Sequence, residues 1–567
     1  MGRVVVDPVT RIEGHLRIDV EVDGGVVRKA WSSAQMFRGI ETIIKGRDPK
    51  DTWLYAQRFC GVCTTAHAIA SIRSVEDALD LEIPLNAQYI RNMIIASHAV
   101  QDFVVHFYHL SALDWVDIVS ALSADPVKAA SIASSYSDWH LNTVAEFSAA
   151  KNRLASFVNR GKLGIFGSGY WGHPAMKLPP EVNLIAFDHY LQALDCQRTA
   201  SKITAILGGK DPHIQNLCVG GVATAINMDN MAAFNMERVA LLRKLIAEMN
   251  EFVSKVYIPD VLAIAGFYPD WFGYGAGSKN YLSIPEYPID STNTKFQDIG
   301  GLITAGDLNS FYEFKNWRDP ELRDNIVEST AHSWYNNVSS PLHPHSGESN
   351  PAYTDFEDEG RYSWCKTPRY KDLPYEVGPL ASILAGYAAK EPKTVALVDW
   401  ALDKAKLPLS ALFSTLGRHL ARALRCKMSS EHTAENLEFL VQNIASGDNE
   451  YANPKYASPT DNIPADREYK GVGFHEPPRG TLSHWIVINK GVVDRYQAVV
   501  PSTWNSGPKD EKGVMGPYEA SLIDNPVADE TKPLEVIRTI HSFDPCIACA
   551  VHTLDPEGKE VVKVIVN

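Results

Sequence analysis

Cysteine is scarce in this chain, with eight residues in 567. That is too few for the disulfide framework of a small secreted domain. Long apolar runs are missing too: no stretch of roughly eighteen apolar residues offers a membrane span of its own. Basic residues are outnumbered, 54 Lys and Arg against 68 Asp and Glu, and the net charge of −14 leaves no electrostatic footprint for nucleic acid. The opening M-G-R-V-V-V-D-P has no apolar signal region before polar sequence begins, which by itself reads as cytoplasmic. There is no low-complexity tract and no repeat of fixed period.

What is present is ordinary for a soluble globular protein, 45% hydrophobic and 22% charged. The length allows one or several substantial cores. Near the start, Leu16, Ile18, Val20 and Val22 alternate with Arg17, Asp19 and Glu21 before Asp23, Gly24 and Gly25, which predicts a β-hairpin. Helical spacing runs from about 86 to 124 and returns at 182–208, 228–256, 379–405 and 409–444. The region 268–372 is rich in Gly, Pro, Ser, Asn and aromatics and reads as irregular loops with short strands. A second hairpin is expected over 479–500, turning at Asn489, Lys490 and Gly491. The expected fold class is mainly α (α+β), with small peripheral β-sheets.

Half of the cysteines form two Cys-x-x-Cys pairs at opposite ends of the chain. Cys60 and Cys63 lie in R-F-C-G-V-C-T-T-A-H at 58–67, and Cys546 and Cys549 in D-P-C-I-A-C-A-V-H at 544–552. A histidine follows each pair, His67 and His552. Four thiolates make a soft-metal site, and the two-residue gap lets both sulfurs of a turn reach one ion or cluster. Structural zinc sites usually gather ligands that are close in sequence. Here nearly the whole chain must fold before the pairs can meet, which suits a catalytic metal at the centre of a large protein. The thiolates alone still permit zinc. Cys196, Cys218, Cys365 and Cys426 lack metal spacing and read as small buried hydrophobes.

The two motifs resemble the signature motifs of the [NiFe]-hydrogenase large subunit, of the uptake-type, membrane-associated respiratory group. Seven further segments carry the resemblance from end to end: D-P-V-T-R-I-E-G-H (7–15), F-R-G-I-E (37–41), H-F-Y-H-L (106–110), G-G-K-D-P-H (208–213), Y-S-W-C-K-T-P-R-Y (362–370), P-P-R-G-T-L-S-H-W (477–485) and Y-Q-A-V-V-P-S-T-W-N (496–505). The resemblance implies a nickel-hydrogenase large-subunit fold, in which a central bundle of long helices receives both cysteine pairs. It implies a single catalytic domain over 1–552 and reversible, heterolytic cleavage of H2.

Residue by residue, the resemblance has Cys60, Cys63, Cys546 and Cys549 bind nickel. Cys63 and Cys549 would also bridge to iron in a Ni-Fe(CN)2(CO) cluster. A proton must leave a dry site through a titratable side chain, and the family's relay falls on Glu13, beside Cys546. Arg479 lies among apolar residues, where an arginine needs an acceptor. The resemblance sets it over the open side of the metals, held by Asp102 and Asp544, with Ser502 donating to a cyanide. Pro478 and Pro501 would shape the apolar wall, and His67 would hydrogen-bond a bridging sulfur. Glu41, the backbone carbonyl of Ala498 and His552 would hold Mg2+, with Lys366 and His213 near its waters. Lys509 departs from the arginine of many relatives.

After His552 come T-L-D-P-E-G-K-E-V-V-K-V-I-V-N. In the family a maturation endopeptidase cuts directly after that histidine, so 553–567 is expected to be a C-terminal propeptide of strand character. With the four motif cysteines assigned, no iron–sulfur ligand set remains. Electrons must therefore leave through an Fe–S cluster-containing small subunit, and through it to a membrane acceptor. In the uptake-type group that partner carries a twin-arginine signal. Co-export to the periplasmic side of the membrane then replaces the cytoplasmic reading. Two rivals are an H2-sensing regulatory subunit of the same fold and a complex I relative that has lost its nickel. Val62 and Leu110, of ordinary size at the gas-channel positions, and the tail favour the enzyme over the sensor. Four intact cysteines argue against the complex I relative.

Overall fold

The computed structural model describes residues 2–550 apart from 162, 169, 337–340, 457, 459 and 460. His552 and the expected propeptide 553–567 therefore lie outside the described residues. Four long helices make the core: Leu85–Val104, Pro180–Gly208, Met236–Phe252 and Thr415–Ala445. The first and third each pack against both the second and the fourth, which closes a bundle. Ile90, Ile94, Ile203, Leu242, Leu420 and Leu424 are among the side chains buried inside it. Each such residue contributes about 1.5–3 kcal/mol on leaving water. Among the described residues no helix is long and apolar enough to cross a membrane.

Helix ends follow local chemistry more closely than the apolar spacing foretells. The expected start near 228 fails because Asn227 and Asn230 accept N–H bonds from Asp229 and Ala232, building turns that compete with helix. Asn235 then caps the true start by accepting from Arg238 N. The stretch 379–405 is two helices, Pro379–Ala388 and Pro392–Ala405. Lys390 at φ 60 turns the chain, and Glu391 caps the second helix ahead of Pro392. The expected helix over 86–124 runs instead through a wider π-helical turn at Val105–Ser111 and a short 3-10 turn at Ala112–Asp114, then ends.

Three antiparallel strands open the chain, Gly2–Val6, Leu16–Asp23 and Val26–Ala34, in sequence order. The expected hairpin is the second pair, and Gly24 and Gly25 turn it at positive φ. A second antiparallel sheet, Tyr469–His475, Leu482–Asn489 and Val492–Val499, contains the other expected hairpin and one strand more. This sheet lies against the helix Thr64–Ala78. Contact is backbone to backbone: a Cβ on Gly473 would meet Ala70 O at 1.9 Å, and one on Gly471 would meet Ser74 O at 2.2 Å. The segment after Cys63 and the segment leading to Arg479 are thereby locked together. The region 268–372 holds short strands and loops, as its composition indicates.

Candidate metal centre

Cys60 and Cys63 occupy the turn before the helix Thr64–Ala78, whose N-cap is Cys63. The Val62 and Cys63 N–H groups both donate to Cys60 Sγ at 3.1 Å, folding the turn over that sulfur. The second pair arrives through a joint with the N-terminal motif. Glu13 N–H donates to Pro545 O (3.3 Å) and Ile547 N–H to Glu13 O (2.8 Å). Gly14 makes this joint possible: at φ +85, any Cβ there would meet Ala548 N at 2.5 Å. The two ends of the chain are stitched at the site itself.

The four sulfurs converge, all within 4.8 Å of one another and all buried. Cys60 to Cys546 is 3.2 Å, Cys63 to Cys549 3.2 Å, Cys63 to Cys546 3.8 Å and Cys546 to Cys549 2.8 Å. Disulfides would need about 2.05 Å. Four thiolates around one ion, with bonds of about 2.3 Å, give a tetrahedral edge of about 3.8 Å, inside the observed range. Charge points the same way. Burial and neighbouring sulfurs hold Cys546 and Cys549 well above the ordinary thiol range, and Cys63 is pushed up to about 11. Cys60 alone goes down, because hydrogen bonds from the other three sulfurs outweigh its burial. Four thiolates can coexist here only around a cation. Among the described residues this is the one cluster of metal-ligating side chains with such spacing.

Beside the sulfurs lies a small cavity of about 10 Å³, lined by Cys63, Cys546, Cys549, Arg479, Pro501 and Ser502, with His67 and Pro477. Arg479 spans two carboxylates: Nη1 donates to Asp102 Oδ2 at 3.0 Å, and Nη2 lies 3.1 Å from Asp544 Oδ1. Burial opposes its charge, but Asp544 and Asp102 outweigh that and hold it well above the usual guanidinium range. Ser502 Oγ accepts the Cys546 N–H at 3.0 Å. Of the two prolines expected in the wall, Pro501 lines the cavity. On the other segment the lining residue is Pro477, two positions from Arg479, while Pro478 between them does not line it.

Glu13 Oε2 accepts from Cys546 Sγ at 3.2 Å and from the Ala548 N–H at 2.9 Å. Burial, then the charge on Cys60, pushes this carboxyl up to about 7. A group so placed can both take and release a proton near neutrality. His67 presents Nε2 to Cys549 Sγ at 3.2 Å, and burial pushes it down to about 4.

Glu41 lies in a separate buried polar cluster. Its carboxylate accepts from the Ala498 N–H (2.9 Å), from Gln497 Nε2 (3.3 Å) and from the Ser349 hydroxyl. Ala498 thus meets Glu41 through its N–H. Lys366 reaches Ser349 at 3.2 Å and Glu328 at 3.6 Å. Burial pushes Glu328 up to about 7 despite that ammonium. Glu328 and Ser349 were not foreseen, because nothing in their local sequence marks them; Gln497 lies in a marked segment, but nothing there singles it out. No contact ties His213 to this cluster; it lies by Thr64, to whose hydroxyl its N–H donates (3.1 Å), and near Arg58. Lys509 sets its ammonium 5.5 Å from the Trp31 ring centroid, a cation–π contact.

The family model described as Nickel-dependent hydrogenase matches residues 38–552, and one described as HoxL-like matches 3–32. The Hydrogenase-2 large chain of Escherichia coli (strain K12) is 52% identical over 99% of both chains. The Uptake hydrogenase large subunit of Rhizobium leguminosarum bv. viciae is 46% identical over 100% of this chain and 97% of its own. Among solved structures, the H2-activated [NiFeSe]-hydrogenase of Dm. baculatum aligns with a TM-score of 0.76 at 29% identity, covering 97% of this chain and 100% of the other.

Proposed function

Because this chain belongs to the nickel-dependent hydrogenase family, we propose a role in H2 cleavage for each residue around its buried sulfurs. The protein is an oxidoreductase that oxidises H2, the large chain of a hydrogenase that works with a small subunit. One observation carries the reading: four sulfurs from opposite ends of the sequence lie within 4.8 Å, with Glu13 and Arg479 against them. When bound there, a nickel–iron centre supplies heterolytic cleavage of H2 into protons and electrons.

Cys60, Cys63, Cys546 and Cys549 would hold nickel, and Cys63 and Cys549 would also hold an iron carrying carbon monoxide and cyanide. A proton on Cys546 Sγ passes to Glu13 Oε2, 3.2 Å away, and onward to solvent. Arg479, fixed by Asp102 and Asp544, presents positive charge to the open side of the site. It acts as a preorganised donor that needs no rearrangement during the reaction. Ser502 would donate to a cyanide of the bound group, Pro501 excludes water, and His67 would tune the Cys549 sulfur.

Mg2+ is assigned to the cluster at Glu41, where Glu328 supplies a second buried carboxylate and His552 would complete the ligands. Hard oxygen donors of this kind suit that ion. Electrons leave to Fe–S clusters of the small subunit and from there to a membrane acceptor, on the periplasmic side. The test is H2-dependent dye reduction by the purified two-subunit enzyme. Absence of H2 oxidation by a correctly assembled pair would overturn the reading.

Maturation is assigned to an endopeptidase acting after His552. The family match ends at that same residue. From their own composition, the fifteen residues 553–567 weigh about 1.6 kDa. Intact-mass analysis of active enzyme should find that loss. Full activity at the uncut mass would make the tail structural.

A further inference from the structure

His67 does not end at the sulfur. Its other nitrogen, Nδ1, lies 3.0 Å from His484 Nε2, and His484 Nδ1 lies 2.5 Å from the Tyr496 hydroxyl. From Tyr496 the run continues through Ser71 Oγ (2.8 Å) and Thr52 Oγ1 (3.1 Å) to the backbone carbonyl of Pro49 (2.8 Å). All of these side chains are buried. Phe59 stacks flat on the His67 ring, centroids 4.9 Å apart at 10°, and meets the His484 ring nearly edge-on at 5.4 Å. Neither imidazole is free to turn.

The direction of these bonds has a consequence at the sulfur. A carbonyl can only accept. With Thr52 donating to Pro49 O, Ser71 donates to Thr52 and Tyr496 to Ser71. The Tyr496 oxygen then accepts from His484 Nδ1–H, and His484 Nε2 accepts from His67 Nδ1–H. A neutral His67 is left with a lone pair, not a hydrogen, facing Cys549 Sγ. A sulfur that binds metal as thiolate has no hydrogen to give and can only accept. In the loaded protein the stretch from Tyr496 to His67 must therefore point the other way, with the Tyr496 hydroxyl turned from Ser71 to His484 while Thr52 keeps donating to Pro49 O. Tyr496 donates to His484, His484 Nε2–H to His67, and His67 Nε2–H to the sulfur. No proton is added or removed from the two rings; each exchanges one tautomer for the other.

We propose that His484 and Tyr496 are positioning residues for the metal centre: through the partner chosen by the Tyr496 hydroxyl they set which nitrogen of His67 carries its hydrogen toward Cys549. This deepens the hydrogenase reading and rests on it. The effect reaches iron through the bridging sulfur. A sulfur that loses its N–H donor becomes a stronger donor to iron, and back-donation then lowers the carbon monoxide stretching frequency.

The test is infrared spectroscopy of the purified two-subunit enzyme, with nickel and iron content measured on the same samples. His67→Ala sets the full downward shift of the carbon monoxide band. Tyr496→Phe and His484→Leu are expected to move it in the same direction with native metal content. His484→Gln is expected to keep the wild-type band, because its amide N–H donates to His67 without help from Tyr496, and it should also rescue Tyr496→Phe. Bands of Tyr496→Phe and His484→Leu that coincide with wild type, while His67→Ala is shifted, would overturn the proposal. So would equal shifts for His484→Gln and His484→Leu. A Tyr496→Phe protein with native melting temperature and no nickel would place the run in metal uptake instead, and also overturns it. Wild-type enzyme lacking nickel and the carbon monoxide band would be a different failure, that of the hydrogenase reading itself.

Discussion

Glu13→Gln is expected to lower H2 turnover and hydrogen–deuterium exchange by about 10²–10⁴-fold, the range for losing a positioned proton-transfer group, with nickel and iron content unchanged. The substitution is nearly isosteric. Glutamine Oε1 can still accept from Ala548 N–H, as Glu13 Oε2 does at 2.9 Å, and its amide can still reach Cys546 Sγ. What it cannot do is take up a proton near neutral pH. The wild-type carboxyl is suited to that task, because burial and the nearby Cys60 charge push it up to about 7. Hydrogen–deuterium exchange is the sharper assay, since it needs proton movement but no electron transfer to a partner. Near-normal exchange in the variant would assign the proton path elsewhere.

Arg479→Lys is the second large effect, a loss of about two orders of magnitude in turnover, comparable to removing one preorganised donor. The guanidinium bridges Asp102 and Asp544 with two separate nitrogens, at 3.0 and 3.1 Å. A lysine head is a single point and cannot hold both carboxylates in that geometry. It does preserve the charge, so neither buried carboxylate is stranded and the cavity should still assemble. Infrared bands of iron-bound carbon monoxide and cyanide should therefore persist while turnover falls. Intact bands with unchanged turnover would remove Arg479 from catalysis.

Much of the site was legible because its residues sit in short, distinctive motifs. Cys60, Cys63, Cys546, Cys549, Glu13 and Arg479 all belong to such segments, and folding brings them together. The role of Gly14 was hidden, because its requirement arises from a backbone 534 positions away, at Ala548. Glu328 and Ser349 could not be read either: they meet Glu41 and Lys366 from the region 268–372, where no periodicity fixes which side chains turn inward, and Gln497 joins them from the strand Val492–Val499.

The His484 to Tyr496 contact was hidden for a different reason. It runs diagonally across a hairpin, since His484 pairs with Ala498 and Tyr496 with Ile486. A register shift between Val487 and Ile488 also breaks the alternation further along. Among helices, the bundle was legible from its 3.6-residue spacing, but its breaks were not. They are set by Asn227, Asn230, Lys390 and Glu391, whose side chains or backbone turns outcompete helix locally.

The central claim is that the four sulfurs hold nickel. X-ray absorption at the nickel edge, with elemental analysis of the purified two-subunit enzyme, tests it most directly. The expected result is one nickel per large chain, bound by sulfur at about the thiolate–metal distance of 2.3 Å and lost in Cys549→Ser. Stoichiometric zinc in place of nickel, or nickel bound mainly by nitrogen and oxygen, would contradict it.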